Sequence, residues 1–571
     1  MKKYVYRLII YALILTTFDS CESFIDLKPL DKITVDNYWK SSSDLESYVL
    51  QFYSAFFPYT AMVTQTALNS DDMVYGDVSQ IMNGERPTTT GTWTSEWANI
   101  RNLNIFFEHY KTCEDPILSY SQSLGEAFFF KAWFYFDLLK KYGDLPWYSQ
   151  TIGIEDENAM MRPRDPRTLI ADSILENLDQ AISYLGVRDN TGNNKISKEA
   201  ALAFKTRVAL YEGTWQKYHT NTSFGTDGSD PNKYFQECID AAEELMTGSY
   251  TVGIYNTGNP DKDYSNLFSF VNMDDIEEVL LYKAFNYGEG FGNTVEGFLS
   301  YNSDQKGGTW GLVSSFLGKD GHCYDYLGLS KTIKGNAFLT KIANDCDLRL
   351  RESFFMPGDM MGAKVGDYFD KPTIDEGALQ LCPTGFQIKK TTNPNNQGAA
   401  QTWEVGSETG FIILRYGEVL LNYAEAKCEL NNSVVYDQLN LLRQRAGMPD
   451  FVVNQQLSDP NFVDYGYSIS DELYEIRRER RVEMCFEGQR DEDLMRWAAH
   501  SLFKGKRPEG YPVSFVEFPD YSNPITADGL LDPYERNLPN GYQFREDQDY
   551  LYSIPQGEIT LNSNLTQNPG W

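Results

Sequence analysis

Residues Gly125–Tyr142 read GEAFFFKAWFYFDLLKKY. Large apolar side chains fall on nearly every side of a helical wheel drawn through this stretch. A helix with so little polar surface must be buried on several sides, which places it inside a helical layer. Gly143-Asp144-Leu145-Pro146 then ends it, because glycine and proline punctuate helices.

The neighbouring segments repeat this pattern. Asp44–Phe57 opens with Ser43-Asp44 as an N-cap. Trp93–Lys111 places Trp93, Trp97, Ile100, Leu103 or Asn104, and Phe107 at spacings of three and four, which is one helix face. That spacing assigns Trp93 and Trp97 to the core. Pro166–Leu185, Ser197–Tyr218 and Tyr234–Met246 continue the series, each closed by a Gly, Pro or Asn break. Small residues Ala127, Ala132, Ala201, Ala209, Ala424 and Ala426 are the expected points of close approach between paired helices. The expectation is an all-α fold of tetratricopeptide-like antiparallel helix pairs forming a superhelical scaffold. No repeat of about 34 residues is legible, so the repeats are degenerate.

From Thr247 to Gly410 the periodicity is lost, and Gly, Asn, Asp and Tyr dominate. Loops this long in a compact protein are usually functional. Helices are expected again at Phe411–Leu430, Val434–Ala446 and Ser470–Cys485. The division is then residues 1–20 as a signal peptide, 21–246 as an N-terminal helical region, 247–410 as a loop-rich ligand-side region, and 411–571 as a C-terminal helical region.

Lys2, Lys3 and Arg7 precede the apolar run Leu8–Phe18, and Ser20-Cys21 follows. The run is about half the roughly 20 residues that cross a bilayer, so it reads as a secretory signal. Its end at Cys21 points to lipoprotein processing, with Cys21 as the lipid anchor. The motif departs from the usual one at Phe18 and Asp19. Acyl chains would hold the chain on a membrane without spanning it.

The formal charge is −31, from 81 acidic and 50 basic residues. A polyanion with no basic stripe is not a nucleic-acid binder. Aromatic residues make up 14% of the chain, including 38 Tyr and 10 Trp, side chains suited to wet interfaces. The seven cysteines after Cys21 show no CxxC or clustered spacing, which argues against a zinc site and a disulfide framework.

The chain closes on QDYLYSIPQGEITLNSNLTQNPGW, Gln548–Trp571. Tyr550–Ile554 alternates like a short strand, Gln556–Thr560 is a helical turn, and Trp571 needs an apolar seat, so the terminus should dock on the body. This ending resembles the C-terminal signature of the SusD/RagB family of Bacteroidetes surface lipoproteins. Six further stretches resemble family signatures in the same order: Cys21–Trp39, Gly125–Pro146, Lys195–Trp215, Arg415–Leu430, Leu439–Pro449 and Ile476–Trp497. One departure is Asp345-Cys346-Asp347-Leu348-Arg349, where the family usually has Asp-Pro-Arg.

The resemblance implies a surface-exposed, lipid-anchored outer-membrane protein. It would capture an oligosaccharide and hand it to a SusC-like TonB-dependent transporter, with no bond chemistry and no cofactor. The alternatives are a peptide or other non-glycan nutrient, or a role mainly as structural lid of the transporter. The residues agree with a non-enzyme. His109, His219, His322 and His500 form no HExxH, and GxSxG and P-loop motifs are absent. The charges from Glu479 to Arg496 follow helical spacing, so they read as structural pairs or ties between helices. No metal site is expected.

A sugar ring offers apolar C–H faces and a rim of hydroxyls, which call for flat aromatics beside Asp, Asn or Arg. The loop Asn69–Gly91 supplies Asp71, Asp72, Tyr75, Asn83 and Arg86. The central loops supply Tyr301, Asn302, Trp310, Tyr324 and Tyr326. Both resemble regions that contribute to the ligand site of glycan-binding relatives. Trp310 is the leading candidate for a stacking surface.

Overall fold

The computed structural model describes residues 38–55, 69–88, 93–153, 155–301, 305–361, 366–395 and 406–571. The signal segment, Cys21 and Asn302 lie outside these residues, as does the side chain of Tyr301.

The N-terminal helices are α1 (Ser42–Ala55), α2 (Trp93–His109), α3 (Ser121–Tyr142), α4 (Arg167–Tyr184), α5 (Lys198–Tyr218) and α6 (Pro231–Thr247). Their starts carry the expected caps. Ser197 accepts from the Ala200 N–H, and Asp230 accepts from Lys233 N–H ahead of Pro231. Helix α3 stops at Gly143, whose φ of 72° suits glycine.

Packing is pairwise along the chain: α3 on α4, then α5 on α6, with α4 also against α5. Glycines permit the closest approaches. A Cβ at Gly125 would lie 2.7 Å from Leu185 Cγ, and one at Gly213 would lie 2.8 Å from the Phe235 ring. Phe129, Phe130, Tyr135, Leu139 and Tyr142 of α3 are all buried in the main core, as are the six alanines singled out from the sequence.

The middle of the chain is more ordered than its sequence suggests. Short helices, including Trp310–Val313, Tyr326–Ser330, α7 (Gly335–Asp345) and α8 (Leu348–Ser353), gather Phe316, Phe338, Phe354, Phe386 and others into a second apolar core. One- to three-turn helices are too short to show a period in sequence.

Phe411–Arg415 is a strand, which corrects the expected helical start there. It pairs antiparallel with Val279–Lys283. The Phe-Ile-Ile-Leu run suits a pleated surface better than a helix. Helix α9 (Tyr416–Asn431) follows and packs on α6 and on α11 (Asp471–Glu483), with α10 (Tyr436–Arg445) between them in sequence. The architecture is all-α with tetratricopeptide-like helix pairs, and only two two-stranded sheets occur among the described residues.

The charges of α11 are buried ties between elements rather than surface pairs. Glu483 accepts from Arg415 and Arg349 at 2.8 Å and also pairs with Arg445. Glu479 joins Arg349 and Arg443 at 2.7 Å. Burial opposes ionisation of Glu483, but the three guanidiniums hold its carboxyl well below the usual range. Arg349 also clamps Asp347 at 2.7 Å, so the departing Asp-Cys-Asp-Leu-Arg segment still forms an internal tie. No disulfide forms among the described residues.

Candidate functional site

The two loop regions marked in the sequence do meet. Met73–Val74 pairs antiparallel with Gly307–Gly308. Most of the candidate ligand residues face inward from this junction, however. Asp72 is buried, and its Oδ1 accepts from Arg481 Nε at 2.7 Å. Asp71 accepts from Arg490 Nε at 2.7 Å and from Arg481 Nη2 at 3.1 Å. Burial raises the cost of the Asp71 charge, but these guanidiniums outweigh it and depress its pKa. Both carboxylates are therefore tied to guanidiniums of the interior rather than presented on an open loop.

Trp310 is only 9% exposed, with its ring 5.7 Å from Phe338 and edge-on to the buried Tyr326. It is a residue of the second core, not a loop-tip stacking surface. Arg86 is likewise buried. It donates to the Asp549 and Leu551 carbonyls at 2.7 and 2.8 Å, and its guanidinium lies 4.1 Å from the Tyr552 ring centroid. It seats the C-terminus. Asn83 is buried and accepts from Gln543 N at 3.2 Å. Tyr75 is half-buried beneath the Lys306 ammonium, 5.1 Å from its ring. Tyr324, half-buried, donates to Asp345 at 2.9 Å.

The open aromatic site lies elsewhere, in a cleft of about 450 Å³. Its walls are α2, the segment Pro146–Ile152 with Met160, and the C-terminal residues Glu558, Asn562 and Leu565. Ile100, Leu103 and Phe106 bury the inner face of α2. The next stripe round the helix, Trp97, Arg101 and Asn104 at spacings of four and three, faces the cleft.

Trp97 is held by edges. Trp93 lies 5.4 Å away at 64° and Tyr148 lies 5.6 Å away at 75°, geometries that aromatic pairs prefer. Its Nε1–H is buried and meets no acceptor among the described residues. Asn104 is fully committed: its amide donates to the carbonyls of Tyr148 and Gln150 at 3.2 and 3.1 Å. Its Oδ1 accepts from the buried Lys131 ammonium at 3.0 Å. Lys131 sits between the Phe107 and Trp147 rings, at 5.3 and 5.2 Å. Burial pulls its pKa down to about 8.

The opposite wall is the terminal segment that was expected to dock, and it does. Asn568 donates to the carbonyls of Tyr142 and Tyr552 at 3.0 and 2.6 Å. Trp571 Nε1 donates to Leu551 O at 3.0 Å. Asn562 reaches the carbonyls of Met160 and Arg162 at 3.2 and 2.9 Å. Helix α12 (Gln556–Leu561) stands between these anchors. The expected strand at Tyr550–Ile554 does not form a ladder; Tyr552 N–H donates to Lys141 O at 2.7 Å instead.

A volume of this size lies within the range of small-molecule sites, about 300–1,000 Å³. Its chemistry is a pair of aromatic faces with amides, carbonyls and one arginine at hand. Among the described residues no cluster of His, Cys, Asp or Glu is arranged to hold a metal ion. The spacing that places Trp97 in the core agrees with its packing against the main core, and the same side chain also lines the cleft, as does Tyr148, which the sequence does not single out. The available signal was the polar pair Arg101 and Asn104 beside an otherwise apolar stripe.

A family model described as the SusD family matches residues 277–571, and one described as "Starch-binding associating with outer membrane" matches residues 28–210. SusD-like protein P38 of Formosa agariphila is 24% identical over 504 residues, covering 84% of this chain and 89% of its own. SusD-like protein P2 of the same organism is 22% identical, and the alignment spans 100% of both chains. A solved SusD-like carbohydrate-binding protein from Bacteroides fragilis superposes with a TM-score of 0.71 at 20% identity, covering 93% of this chain and 100% of that one. A structure solved with xylogluco-oligosaccharide superposes at 0.60 and 17% identity, covering 91% of this chain and 97% of that one.

Proposed function

Because this chain belongs to the SusD family, we propose that it captures an oligosaccharide in the cleft between α2 and the C-terminal segment. The observation that carries this is Trp97, fixed edge-on by Trp93 and Tyr148 with its indole N–H unspent. A fixed indole can cover the C–H face of a pyranose without losing further side-chain freedom. The carbohydrate-binding and xylogluco-oligosaccharide relatives support the choice of a glycan.

Capture is binding without bond chemistry. The acid-rich segment of α11 is committed to ion pairs, which leaves it no role as a reacting pair. In this reading Cys21 carries the lipid that holds the chain on the outer membrane, and the glycan passes to a SusC-like TonB-dependent transporter. Among the described residues no helix is long and apolar enough to cross a membrane. Titration of the chain with neutral and acidic oligosaccharides, with Trp97→Ala as the comparison, tests the binding step. Co-purification with a SusC-like transporter from the native outer membrane tests the hand-over.

A further inference from the structure

We infer that a second, smaller pocket, walled by Tyr368, Phe369, Asp370 and Gln380, takes one uncharged sugar ring. It shares no lining residue with the cleft between α2 and the C-terminal segment. The inference rests on the glycan-binding reading for the class of ligand but not for the place.

The backbone around this pocket is paired. Gly358 N–H donates to Phe369 O at 2.8 Å, Phe369 N–H to Asp359 O at 2.8 Å, and Met361 N–H to Asp367 O at 3.0 Å. Met360 lies directly opposite Tyr368 in this pairing. Opposed residues share a face and successive residues alternate, so Tyr368 and Phe369 point opposite ways. Phe369 goes inward, buried in the second core and stacked on Phe355 at 5.9 Å and 18°. Tyr368 is turned outward and left 55% exposed. Among the described residues no other ring and no cation lies against it. The result is a flat ring held by a paired backbone with its surface uncovered.

Beside this ring is a volume of about 170 Å³. Whole small-molecule sites run to about 300–1,000 Å³, so this one suits a single ring rather than a chain. Met361 and Phe369 form its apolar lining. Two of its polar residues are fixed. Gln387 donates to Leu299 O at 2.9 Å, and Lys371 donates to Glu517 O at 3.1 Å with its ammonium 4.1 Å from the Phe518 ring centroid. The other two are unspent: the Asp370 carboxylate and the Gln380 side-chain amide have no partner among the described residues. A carboxylate accepts from two hydroxyls, and an amide both accepts and donates. An open aromatic face with such groups at its edge matches the apolar face and hydroxyl rim of a sugar. The lining holds one carboxylate and one ammonium, Asp370 and Lys371, and so no net charge, which suits an uncharged ring.

The test is retardation in native gels containing xyloglucan, starch or the acidic polygalacturonate. In at least one of the neutral gels Tyr368→Ala should weaken binding about five-fold or more, the scale of losing one aromatic contact. Tyr368→Phe keeps the ring and should bind as wild type, while Gln380→Ala should weaken binding. Tyr368→Ala should leave retardation by polygalacturonate unchanged. Thermal melting of each variant should match wild type, because these side chains are exposed. If Tyr368→Ala is silent in every gel while Trp97→Ala weakens retardation, the second pocket is wrong and the cleft stands. If Trp97→Ala is silent while Tyr368→Ala weakens retardation, the pocket stands and the cleft falls. Equal weakening on polygalacturonate would overturn the uncharged class. If both variants are silent, or no gel retards the wild type, both sites fall.

Discussion

Arg481 Nε donates to Asp72 Oδ1 at 2.7 Å across 409 residues of chain. The bond joins α11 to the junction of the two central loop regions, with both side chains almost fully buried. A pair that looks in sequence like a ligand-binding aspartate and a helix-surface arginine is one internal tie.

That tie predicts a stability effect. Removing one partner of a buried ion pair strands the other charge, at a cost of about 3–5 kcal/mol. Arg481→Ala should lower the urea midpoint accordingly. The protein that remains folded should bind glycan with wild-type affinity. Native stability with lost binding would return Asp71 and Asp72 to the ligand site.

Trp310 gives the complementary prediction for the second core. Trp310→Ala should cost about 3–5 kcal/mol, as large-to-small substitutions of buried aromatics do. Thermal unfolding followed by near-ultraviolet circular dichroism measures it. An unchanged melting temperature would mean that Trp310 packs against little.

Lys131 predicts a pH effect whose sign follows from its environment. Burial between Phe107 and Trp147, with only Asn104 as hydrogen-bond partner, lowers its pKa from 10.5 to about 8. Above about pH 8 the folded state releases this proton, while the unfolded state keeps it until about 10.5. The Lys131 contribution to stability therefore rises with pH across that window, by on the order of 3 kcal/mol. Urea titrations of wild type and Lys131→Met across this window isolate it: the difference in stability between the two should change with pH. A constant difference would show that Lys131 keeps an ordinary pKa.

The helices of both ends were legible because they are long and periodic, and α3 shows this best. Strand Phe411–Arg415 was absorbed into its neighbouring helix because an apolar run next to a helix carries no boundary. The second core was not legible, since its members sit on helices too short to repeat. The site failed for a related reason. Spacing tells which face of α2 Trp97 shares with Trp93, but not that this part of the face is left open between Tyr148 and Asn562. Asp72 and Arg86 look like loop residues until their distant partners, Arg481 and Leu551, are placed.

The most direct measurement is calorimetric titration of wild type and Trp97→Ala with the tightest of the oligosaccharide probes. An aromatic residue at the centre of a binding site carries about 1–3 kcal/mol, so affinity should fall at least several-fold while helical circular dichroism is unchanged. Equal affinity of the two proteins would contradict the account and place glycan binding outside this cleft.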